Sequence, residues 1–301
     1  MKTVKLSQQE PQRLDISLAQ MLNISRNRVQ KAIKNGAILV NNKPATVKQQ
    51  VNTNDLITYD EKFFIKTKTN KPVPKLNIIY EDENILAINK PANLIVHDAP
   101  GNNDPTLVDA LLAYYPPIAN VGEPGREGLV HRLDKAASGV MIIAKNQDTF
   151  QFLKQQFKNR EIEKHYTVLV EGKMQKTNGT INLPIERSKN NGRMAAKPLS
   201  QGGKPAITHY EVLQSFPHHT LLDVKIETGR THQIRAHMFA IGHPVVGDTL
   251  YRQRGLKPRD IGRIFLHART ISITLPNQER KTFTAPLPKD LQQVLQEIPQ
   301  I

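Results

Sequence analysis

The sequence predicts an α+β protein with a mixed or antiparallel sheet and a small additional α/β domain on its N-terminal side. Three observations lead to this fold class. Short alternating apolar segments typical of strands recur between residues 76 and 275, with few amphipathic helices among them. Two segments with helical spacing precede them within residues 12–36. A basic, proline-containing stretch without periodicity, residues 66–75, separates the two parts and is typical of a linker.

The chain length fits this division. Its 301 residues are enough for one small and one large domain, each with its own core. We therefore predict a small domain over residues 1–65, a linker over residues 66–75 and a large domain over residues 76–301.

The charge of the chain indicates a polyanionic partner such as RNA or DNA. Lys and Arg number 42 and Asp and Glu 27, which gives a formal net charge of +15 spread along the sequence. A soluble basic protein without such a partner is the alternative. The absence of cysteine excludes disulfides, thiolate metal sites and a cysteine nucleophile. No apolar run is long enough to span a bilayer and residues 1–5 lack a secretory signal, so we expect a cytoplasmic protein.

The first domain begins with two predicted helices. Residues 13–22 have helical apolar spacing, and Ser25 is a candidate N-cap for a second helix that ends at Asn35-Gly36. The second helix has an apolar face and a basic face. The basic face consists of Arg26, Arg28, Lys31 and Lys34. Strands are predicted at residues 37–40 and 56–59, with a turn at residues 41–44.

These segments resemble the S4 RNA-binding domain, named after a protein of the small ribosomal subunit. The matching motifs are Arg13-Leu14-Asp15, Ser25-Arg26-x-x-Val29-Gln30 and Gly36-x-Ile38-x-Val40-Asn41, and the likeness covers most of residues 12–60. The resemblance implies that the domain binds RNA. We expect Arg26, Arg28 and Lys31 to contact phosphates, the alternative being a solvated helix face.

The elements of the large domain follow in order. Strands are predicted at residues 76–80, 85–89, 140–145, 165–172, 209–213 and 220–226, and residues 271–275 are interpreted as structural. A helix over residues 106–112 is capped by Thr106, a helix over residues 147–160 turns Phe150, Leu153 and Phe157 inward, and a last helix starts at Lys289. The polar, glycine-rich residues 186–204 fit either a mobile loop or a loop that clamps RNA.

The stretch from Gly128 to Lys145 contains the main chemical candidate. Asp134 lies among His131, Arg132 and Lys135, directly before the predicted central strand. Nearby positive charge keeps a carboxylate ionised, and an ionised carboxylate at the rim of a sheet can act as a nucleophile or a base. A structural ion pair is the alternative.

A second charged cluster covers residues 227–238. Thr231 is a candidate cap for a helix through Phe239, on which His232 and Arg235 would share one face. The spacing of the histidines at positions 232, 237 and 243 does not stack on a helix and lacks a nearby acidic ligand, so we predict no metal site.

Separated motifs, in order, resemble the RluA family of pseudouridine synthases. They are His131-Arg132-Leu133-Asp134, Ser138-Gly139, His165-Tyr166 and the run from Gly229 to Arg235, preceded by Lys90-Pro91 and Val96-His97. The resemblance spans nearly all of residues 76–290. It implies an isomerase that attacks a uridine in RNA and frees the base, which turns and rejoins the sugar through carbon. It also implies large-subunit ribosomal RNA, or its assembly precursor, as partner.

The resemblance assigns roles to individual residues. Asp134 matches the catalytic aspartate, Tyr166 the tyrosine that packs on the base, Arg235 the arginine that pairs with the carboxylate, and Arg132 the residue that fills the space of the extruded nucleotide. The remaining expected RNA contacts are His131, Arg230, His232 and Gln233. Ala137 stands where the family usually has threonine, for which we expect only a local packing change. The chemistry needs no metal and no small-molecule cofactor, and we expect a monomer.

Two other function classes remain open at this point. A non-enzymatic ribosome-assembly factor would have the same fold and RNA contacts, but it would be free to lose Asp134, which is present here together with Tyr166 and Arg235. A metal-dependent nuclease or hydrolase would lose its activity with a chelator, whereas we expect chelation to leave this chemistry unaffected.

Overall fold

The structure is a computed structural model that describes residues 1–5, 10–22, 24, 26–64, 71–98, 102–188, 193–252 and 259–300. The predicted N-cap Ser25 and residues 66–70 of the predicted linker lie outside the described residues. Residues 71–75 of that linker have no helix or strand.

The N-terminal part folds around its own apolar core, which includes Leu14, Leu18, Val29, Ile38 and Ile57. A four-stranded sheet packs with two helices. From one edge to the other, its strands are Lys2–Lys5, Leu56–Tyr59, Ile38–Val40 and Lys43–Pro44. This confirms the predicted helices and strands, since the second helix buries its apolar face at Val29, Ala32 and Ile33. The elements are β1 (Lys2–Lys5), β2 (Gln12–Arg13), α1 (Leu14–Met21), α2 (Arg26–Lys34), β3 (Ile38–Val40), β4 (Lys43–Pro44), β5 (Gln50–Val51), β6 (Leu56–Tyr59) and α3 (Glu61–Phe64).

The larger part begins with two antiparallel strands, and a helix follows them before the chain enters the central strand. Thr106 caps its first helix through a capping box with Asp109, as predicted. The elements up to the second half of the sheet are β7 (Ile78–Glu81), β8 (Ile85–Lys90), α4 (Leu107–Tyr114), a 3-10 helix (Pro116–Asn120), β9 (Gly122–Glu123), β10 (Arg126–Glu127), β11 (Ser138–Ala144), α5 (Gln147–Asn159) and β12 (Glu163–Glu171).

The remaining elements complete the sheet and close the fold. They are β13 (Asn178–Asn182), β14 (Ile185–Arg187), β15 (Met194–Ala196), a 3-10 helix (Leu199–Gln201), β16 (Ile207–Ser215), β17 (His219–Ile226), α6 (Gln233–Ala240), β18 (Leu266–Thr274), β19 (Arg280–Thr284) and α7 (Lys289–Glu297). The last helix begins at Lys289, as predicted.

One mixed sheet of nine strands organises the larger part, which confirms the predicted fold class. Its order is β13-β16-β17-β12-β18-β11-β8-β7, and β19 pairs with the far half of β18. The pairings are antiparallel except for β11 and β18, which run parallel at Ser138–Gly139. Every residue of β11 is buried, because β11 lies between two strands and its faces are covered by the core.

Two expectations change with the structure. The prediction that Thr231 caps a helix is wrong, because α6 starts at Gln233 after His232, which has a left-handed φ of 55° and makes no side-chain cap. Residues 186–204 include the second strand and part of the first strand of a hairpin, β14 paired with β15. Residues 189–192 lie outside the described residues.

The search for membrane-crossing helices gives a negative result. Among the helices that the structure describes, none combines the length and the apolar character that a bilayer crossing demands.

Candidate active site

A cleft of about 410 Å³ opens beside the central strand of the larger sheet. Its walls are the loop before β11, the end of α5, part of β12 and the segment between β17 and α6. Cationic side chains dominate its lining: Arg132, Lys158, Arg160, Lys164, Arg230 and Arg235. The carboxylates among the lining residues are Asp134 and Glu227, so the cleft is suited to a polyanion.

Asp134 and Arg235 meet in this cleft, although they are far apart in the sequence. Arg235 Nη1 donates to Asp134 Oδ2 at 3.1 Å, and the two side chains are 9% and 14% exposed. The sequence expectation placed these residues together, and the structure confirms their contact. A charge-assisted hydrogen bond in a partly closed cleft orients a carboxylate without removing it from reach of a substrate.

A second carboxylate, Asp248, holds Arg235 from the other side. Arg235 Nε and Nη2 donate to its two oxygens at 2.6 Å and 3.0 Å, and the Asp248 side chain is fully buried. The backbone N–H groups of Leu250 and Tyr251 also donate to Asp248, each at 2.9 Å. Burial, the largest influence, lowers the pKa of Arg235, but the ion pairs with Asp248 and Asp134 outweigh it and raise the pKa. Arg235 is therefore a fixed cation.

Hydrogen bonds from two partly or fully buried cations fix the chain that directly follows Asp134. Lys90 Nζ donates to the carbonyl oxygens of Pro91, Leu94 and Lys135 at 2.8, 3.0 and 3.3 Å. Burial lowers the pKa of Lys90 to about 7, helped by Arg263 and opposed by Asp134. Three residues after Lys135, at the start of β11, Arg263 Nη2 donates to Ser138 Oγ at 2.6 Å.

Ser138 also bonds to a buried histidine on the parallel neighbour of β11. Its Oγ lies 2.8 Å from His267 Nδ1, and His267 Nε2 lies 3.0 Å from the carbonyl oxygen of Ala285. Ala137, the departure from the family pattern, is 1% exposed and packs in the core beside this contact. An apolar side chain fits such a position, so the departure leaves no unpaired polar group.

Tyr166 lies on β12 and lines the cleft with a largely buried ring. Burial, together with the nearby Asp134 carboxylate, raises the pKa of its phenol above the usual range. The phenol is thus neutral at physiological pH. Its ring offers a flat apolar wall, which is what a planar base needs for packing.

His232 stands on the same side of Asp134 as Arg235. Its Nε2 lies 4.0 Å from Asp134 Oδ2, and its Nδ1 lies 3.1 Å from the Tyr251 hydroxyl. Burial lowers the pKa of His232; Asp134 opposes this effect and Arg235 adds to it. The ring is therefore neutral at pH 7.

The other residues predicted to contact RNA divide into two groups. Arg132 and Arg230 line the cleft; Arg132 is exposed, whereas Arg230 is half-buried and its Nε donates to the Pro205 carbonyl oxygen at 3.1 Å. His131 stacks on Phe157 with ring centroids 5.0 Å apart. Its Nε2 accepts the N–H of Ile142 at 2.9 Å. Burial lowers the pKa of His131 to about 3, so the structure favours a packing role for this ring.

Gln233 is engaged inside the protein. Its amide oxygen accepts from Thr228 Oγ1 at 2.7 Å and from Arg230 N at 3.0 Å. Its amide nitrogen donates to the Ile207 carbonyl oxygen at 2.9 Å and to Thr208 Oγ1 at 3.0 Å. All four hydrogen-bonding positions of the amide are occupied. The geometry speaks against an RNA contact by Gln233 and assigns it to the support of the loop before α6.

The basic face of the small domain is organised by one buried carboxylate. Asp15 accepts from Arg13 Nε and Nη2 at 3.0 Å each, from Arg26 Nη2 at 3.0 Å and from Gln30 Nε2 at 2.6 Å. Although burial, the largest influence, raises the pKa of Asp15, the bonds to Gln30, Arg13 and Arg26 lower it to about 2. Arg13 and Arg26 remain 34% and 51% exposed, so both guanidinium groups are held at the surface. Arg28 and Lys31 follow on the same helix.

Sequence reasoning missed three residues of the site, Lys90, Asp248 and Tyr251, as functional supports. Lys90 was part of a recognised motif, but a motif does not show that an amine is buried against three carbonyl oxygens. Asp248 and Tyr251 follow α6 in a turn without hydrophobic periodicity, so no pattern links them to Arg235. Among the described residues there is no group of three or more potential metal ligands.

Comparisons with known proteins identify the family. The family model for RNA pseudouridylate synthase matches residues 84–240, and the model for the S4 domain matches residues 12–57. An uncharacterized RNA pseudouridine synthase of Synechocystis is 38% identical over 300 residues, covering 94% of this chain and 88% of that protein. Ribosomal large subunit pseudouridine synthase D of Escherichia coli K12 is 37% identical over 300 residues, covering 95% of this chain and 90% of that protein.

A solved structure supports the same assignment. Human RNA pseudouridylate synthase domain containing 4 superimposes with a TM-score of 0.59 at 26% identity, over 74% of this chain and 94% of that one. Family model, near full-length relatives and solved fold agree, and the chain therefore belongs to the RNA pseudouridine synthase family and carries an S4 domain.

Proposed function

We propose that this enzyme converts specific uridines of large-subunit (23S) ribosomal RNA to pseudouridine, with Asp134 as the nucleophile. The observation that carries the proposal is the Asp134 carboxylate in a cationic cleft, oriented by an arginine that Asp248 clamps from behind. The likeness to ribosomal large subunit pseudouridine synthase D supports this class of RNA substrate.

The cleft geometry is consistent with an extruded nucleotide. A uridine inside folded RNA must leave its stack before its glycosidic bond can be reached. In our proposal Arg132, exposed at the cleft, occupies the space that the nucleotide leaves, and the neutral Tyr166 ring packs against the base. Arg230 and the other cations of the cleft contact phosphates.

The proposed reaction changes connectivity and keeps composition. Asp134 attacks the nucleotide, and the glycosidic bond from ribose C1′ to N1 breaks. The freed base turns, C5 bonds to C1′, and the bond between Asp134 and the nucleotide breaks, which restores the carboxylate. The proton at C5 is lost and N1 gains a proton, so substrate and product are isomers. The hydrogen bond from Arg235 orients the carboxylate of Asp134 for this attack.

The small domain supplies a second RNA contact in this proposal. Arg26, Arg28 and Lys31 contact phosphates, and Arg13 joins them because Asp15 holds it beside Arg26. We place this domain at residues 1–65, followed by a linker at residues 66–75 and the catalytic domain at residues 76–301.

Chemical mapping tests both the activity and the target. Ribosomal RNA from cells lacking the gene is treated with a carbodiimide that marks pseudouridine and is compared with RNA from complemented cells. We expect defined stops in 23S RNA to vanish on deletion and to return with the wild-type gene but not with Asp134→Asn. Unchanged stops in 23S RNA would contradict the assigned substrate. If the stops returned with Asp134→Asn, the reaction would not need this carboxylate, and the proposed role of Asp134 as nucleophile would be wrong.

A further inference from the structure

The half-buried His232 and the buried Tyr251 form a pair beside Asp134 that the proposed reaction does not use. The rings meet edge to face with centroids 5.7 Å apart and an interplanar angle of 89°. His232 has a left-handed φ of 55°, a backbone conformation that is costly for a residue with a side chain. In this conformation the imidazole of His232 lies between Tyr251 and Asp134.

The contacts of the Tyr251 hydroxyl fix the direction of its own proton. The backbone N–H of Met194, on β15, donates to this oxygen at 2.9 Å. The oxygen is therefore an acceptor in that bond, and its proton needs another partner. Among the described residues, the hydrogen-bonding atom that remains beside the hydroxyl is His232 Nδ1, at 3.1 Å. Because Tyr251 is 1% exposed, a hydroxyl proton without an acceptor would be costly.

A hydroxyl that donates to Nδ1 determines the tautomer of a neutral imidazole. The proton then lies on the other nitrogen, since the hydrogen bond at one ring nitrogen sets the state of its neighbour. That other nitrogen, Nε2, faces Asp134 Oδ2 at 4.0 Å. Burial and the Arg235 guanidinium both keep the ring neutral, by lowering its pKa against the opposing effect of Asp134.

The two oxygens of Asp134 have different surroundings. Oδ2 receives Arg235 Nη1 at 3.1 Å and has His232 Nε2 at 4.0 Å. Within the described part of the chain, Oδ1 makes no hydrogen bond or ion pair. Hydrogen bonds between catalytic groups are often long without substrate and shorten in the complex. The 4.0 Å between His232 Nε2 and Asp134 Oδ2 is therefore compatible with a hydrogen bond when RNA is bound.

We propose that Tyr251 holds His232 as the neutral Nε2–H tautomer, so that His232 and Arg235 together bind Oδ2 of Asp134 and leave Oδ1 available for the reaction. This inference rests on the proposed role of Asp134. Tyr251 acts as a positioning residue, and its bond to Met194 connects the hairpin β14–β15 to the site.

The tautomer can be measured directly on the full chain. Histidine is labelled with ¹⁵N, and the signals of His232 are assigned with the His232→Gln variant at neutral pH. We expect an unprotonated Nδ1 and a protonated Nε2 in the wild type, and a loss of this preference in Tyr251→Phe. A proton on Nδ1, or on both nitrogens, would overturn the proposal. The measurement needs no turnover, so its outcome is separate from the test of Asp134.

Single-turnover kinetics test the role of the pair. Tyr251→Phe removes one hydroxyl, and we expect a rate constant lower by about tenfold with RNA affinity unchanged. Tyr80→Phe is the matched control, because its hydroxyl donates to Asp82 at 2.9 Å on an edge strand outside the cleft. It is expected to react like the wild type. A wild-type rate for Tyr251→Phe would overturn the proposal.

Two substitutions of His232 separate its nitrogens. Glutamine places an amide N–H near the position of Nε2, whereas asparagine places one near Nδ1. Asparagine tolerates the left-handed conformation better, so the backbone favours Asn and the proposed chemistry favours Gln. We expect His232→Gln to react faster than His232→Asn. An equal or higher rate for His232→Asn would contradict the proposal. It would show that the left-handed backbone at this position matters more for the rate than an N–H group at the place of Nε2.

Discussion

At the scale of single residues, the site depends on how one guanidinium is divided between two carboxylates. Asp248 takes the forked pair of nitrogens, Nε and Nη2, and is itself held by two backbone N–H groups. Asp134 receives the remaining nitrogen, Nη1. A bidentate pair has the more specific geometry of the two arrangements. Arg235 is thus anchored by Asp248, and Asp134 gains orientation while its Oδ1 makes no hydrogen bond to any of the residues that the structure describes.

Removal of the buried anchor is expected to cost both stability and activity. Asp248→Asn leaves a buried Arg235 without its fork partner, which costs about 3 kcal/mol. It also frees the guanidinium to turn toward Asp134, so the single-turnover rate should fall. Urea unfolding followed by circular dichroism measures the first effect. Glu123→Gln, which breaks an exposed pair with Lys154, is the control and should cost under about 1 kcal/mol. Equal costs for both variants would contradict the anchoring role.

The buried carboxylate of the small domain gives a pH prediction. The folded-state pKa of Asp15 is about 2, below its ordinary value of 3.8. A lowered carboxyl pKa stabilises the fold above the ordinary value, and this contribution of about 2 kcal/mol is lost as the pH falls from 3.8 through 2. An NMR titration of the Asp15 carboxyl, assigned with Asp15→Asn, measures the midpoint. A midpoint near 4 would show that Arg13 and Arg26 are not held by this carboxylate.

At the scale of elements, the parallel contact between β11 and β18 sets the position of the Asp134 loop. Gly139 faces Ala268 there with a φ of +121°. A Cβ at Gly139 would lie 2.2 Å from the carbonyl oxygen and 2.5 Å from the nitrogen of Ala268. Only glycine permits this approach; Ser138 directly precedes it, and Asp134 lies five residues before it.

Gly139→Ala is therefore expected to be severely destabilising, by at least about 4 kcal/mol, since two backbones must move apart. Gly125→Ala is the matched control. Gly125 also has a positive φ, +79°, but its Cβ would meet nothing within 4 Å. That substitution carries the conformational cost alone, about 1–2 kcal/mol. Urea unfolding of both variants measures how much each substitution destabilises the protein. A similar loss of stability for Gly139→Ala and Gly125→Ala would contradict the steric account of Gly139.

The sequence was more informative about elements than about side-chain partners. Apolar periodicity and caps located most helices and strands, such as α4 behind Thr106 and the buried strand β11. Motif resemblance brought Asp134 and Arg235 together. Gln233 looked like a binding residue, but its amide is used up inside the fold. Local sequence cannot distinguish a satisfied polar group from an available one, because its partners come from distant strands.

At the scale of the whole molecule, the chain contains separate apolar cores in its two parts. The smaller part has a basic face built on Asp15, and the larger part has the cationic cleft. Both surfaces are suited to phosphates, and we propose that both contact RNA.

Deletion of residues 1–65 should weaken RNA binding and reduce its dependence on salt. Each phosphate contact releases counterions, so the loss of Arg13, Arg26, Arg28 and Lys31 should lower the slope of log K against log salt by about 3. The double variant Arg28→Gln with Lys31→Gln in the full chain should lower the slope by about half as much. Filter binding over a salt series measures both. An unchanged slope after the deletion would mean that the small domain does not contact phosphates.

The most direct test of the central claim is to incubate the Asp134→Asn variant with a 23S RNA fragment that carries tritium at C5 of uridine. Conversion is measured as the release of that tritium. The variant retains the size and much of the hydrogen bonding of the side chain but loses its charge. We expect no conversion, with RNA affinity within a few-fold of the wild type. Tritium release at the wild-type rate would contradict a nucleophilic carboxylate at this position.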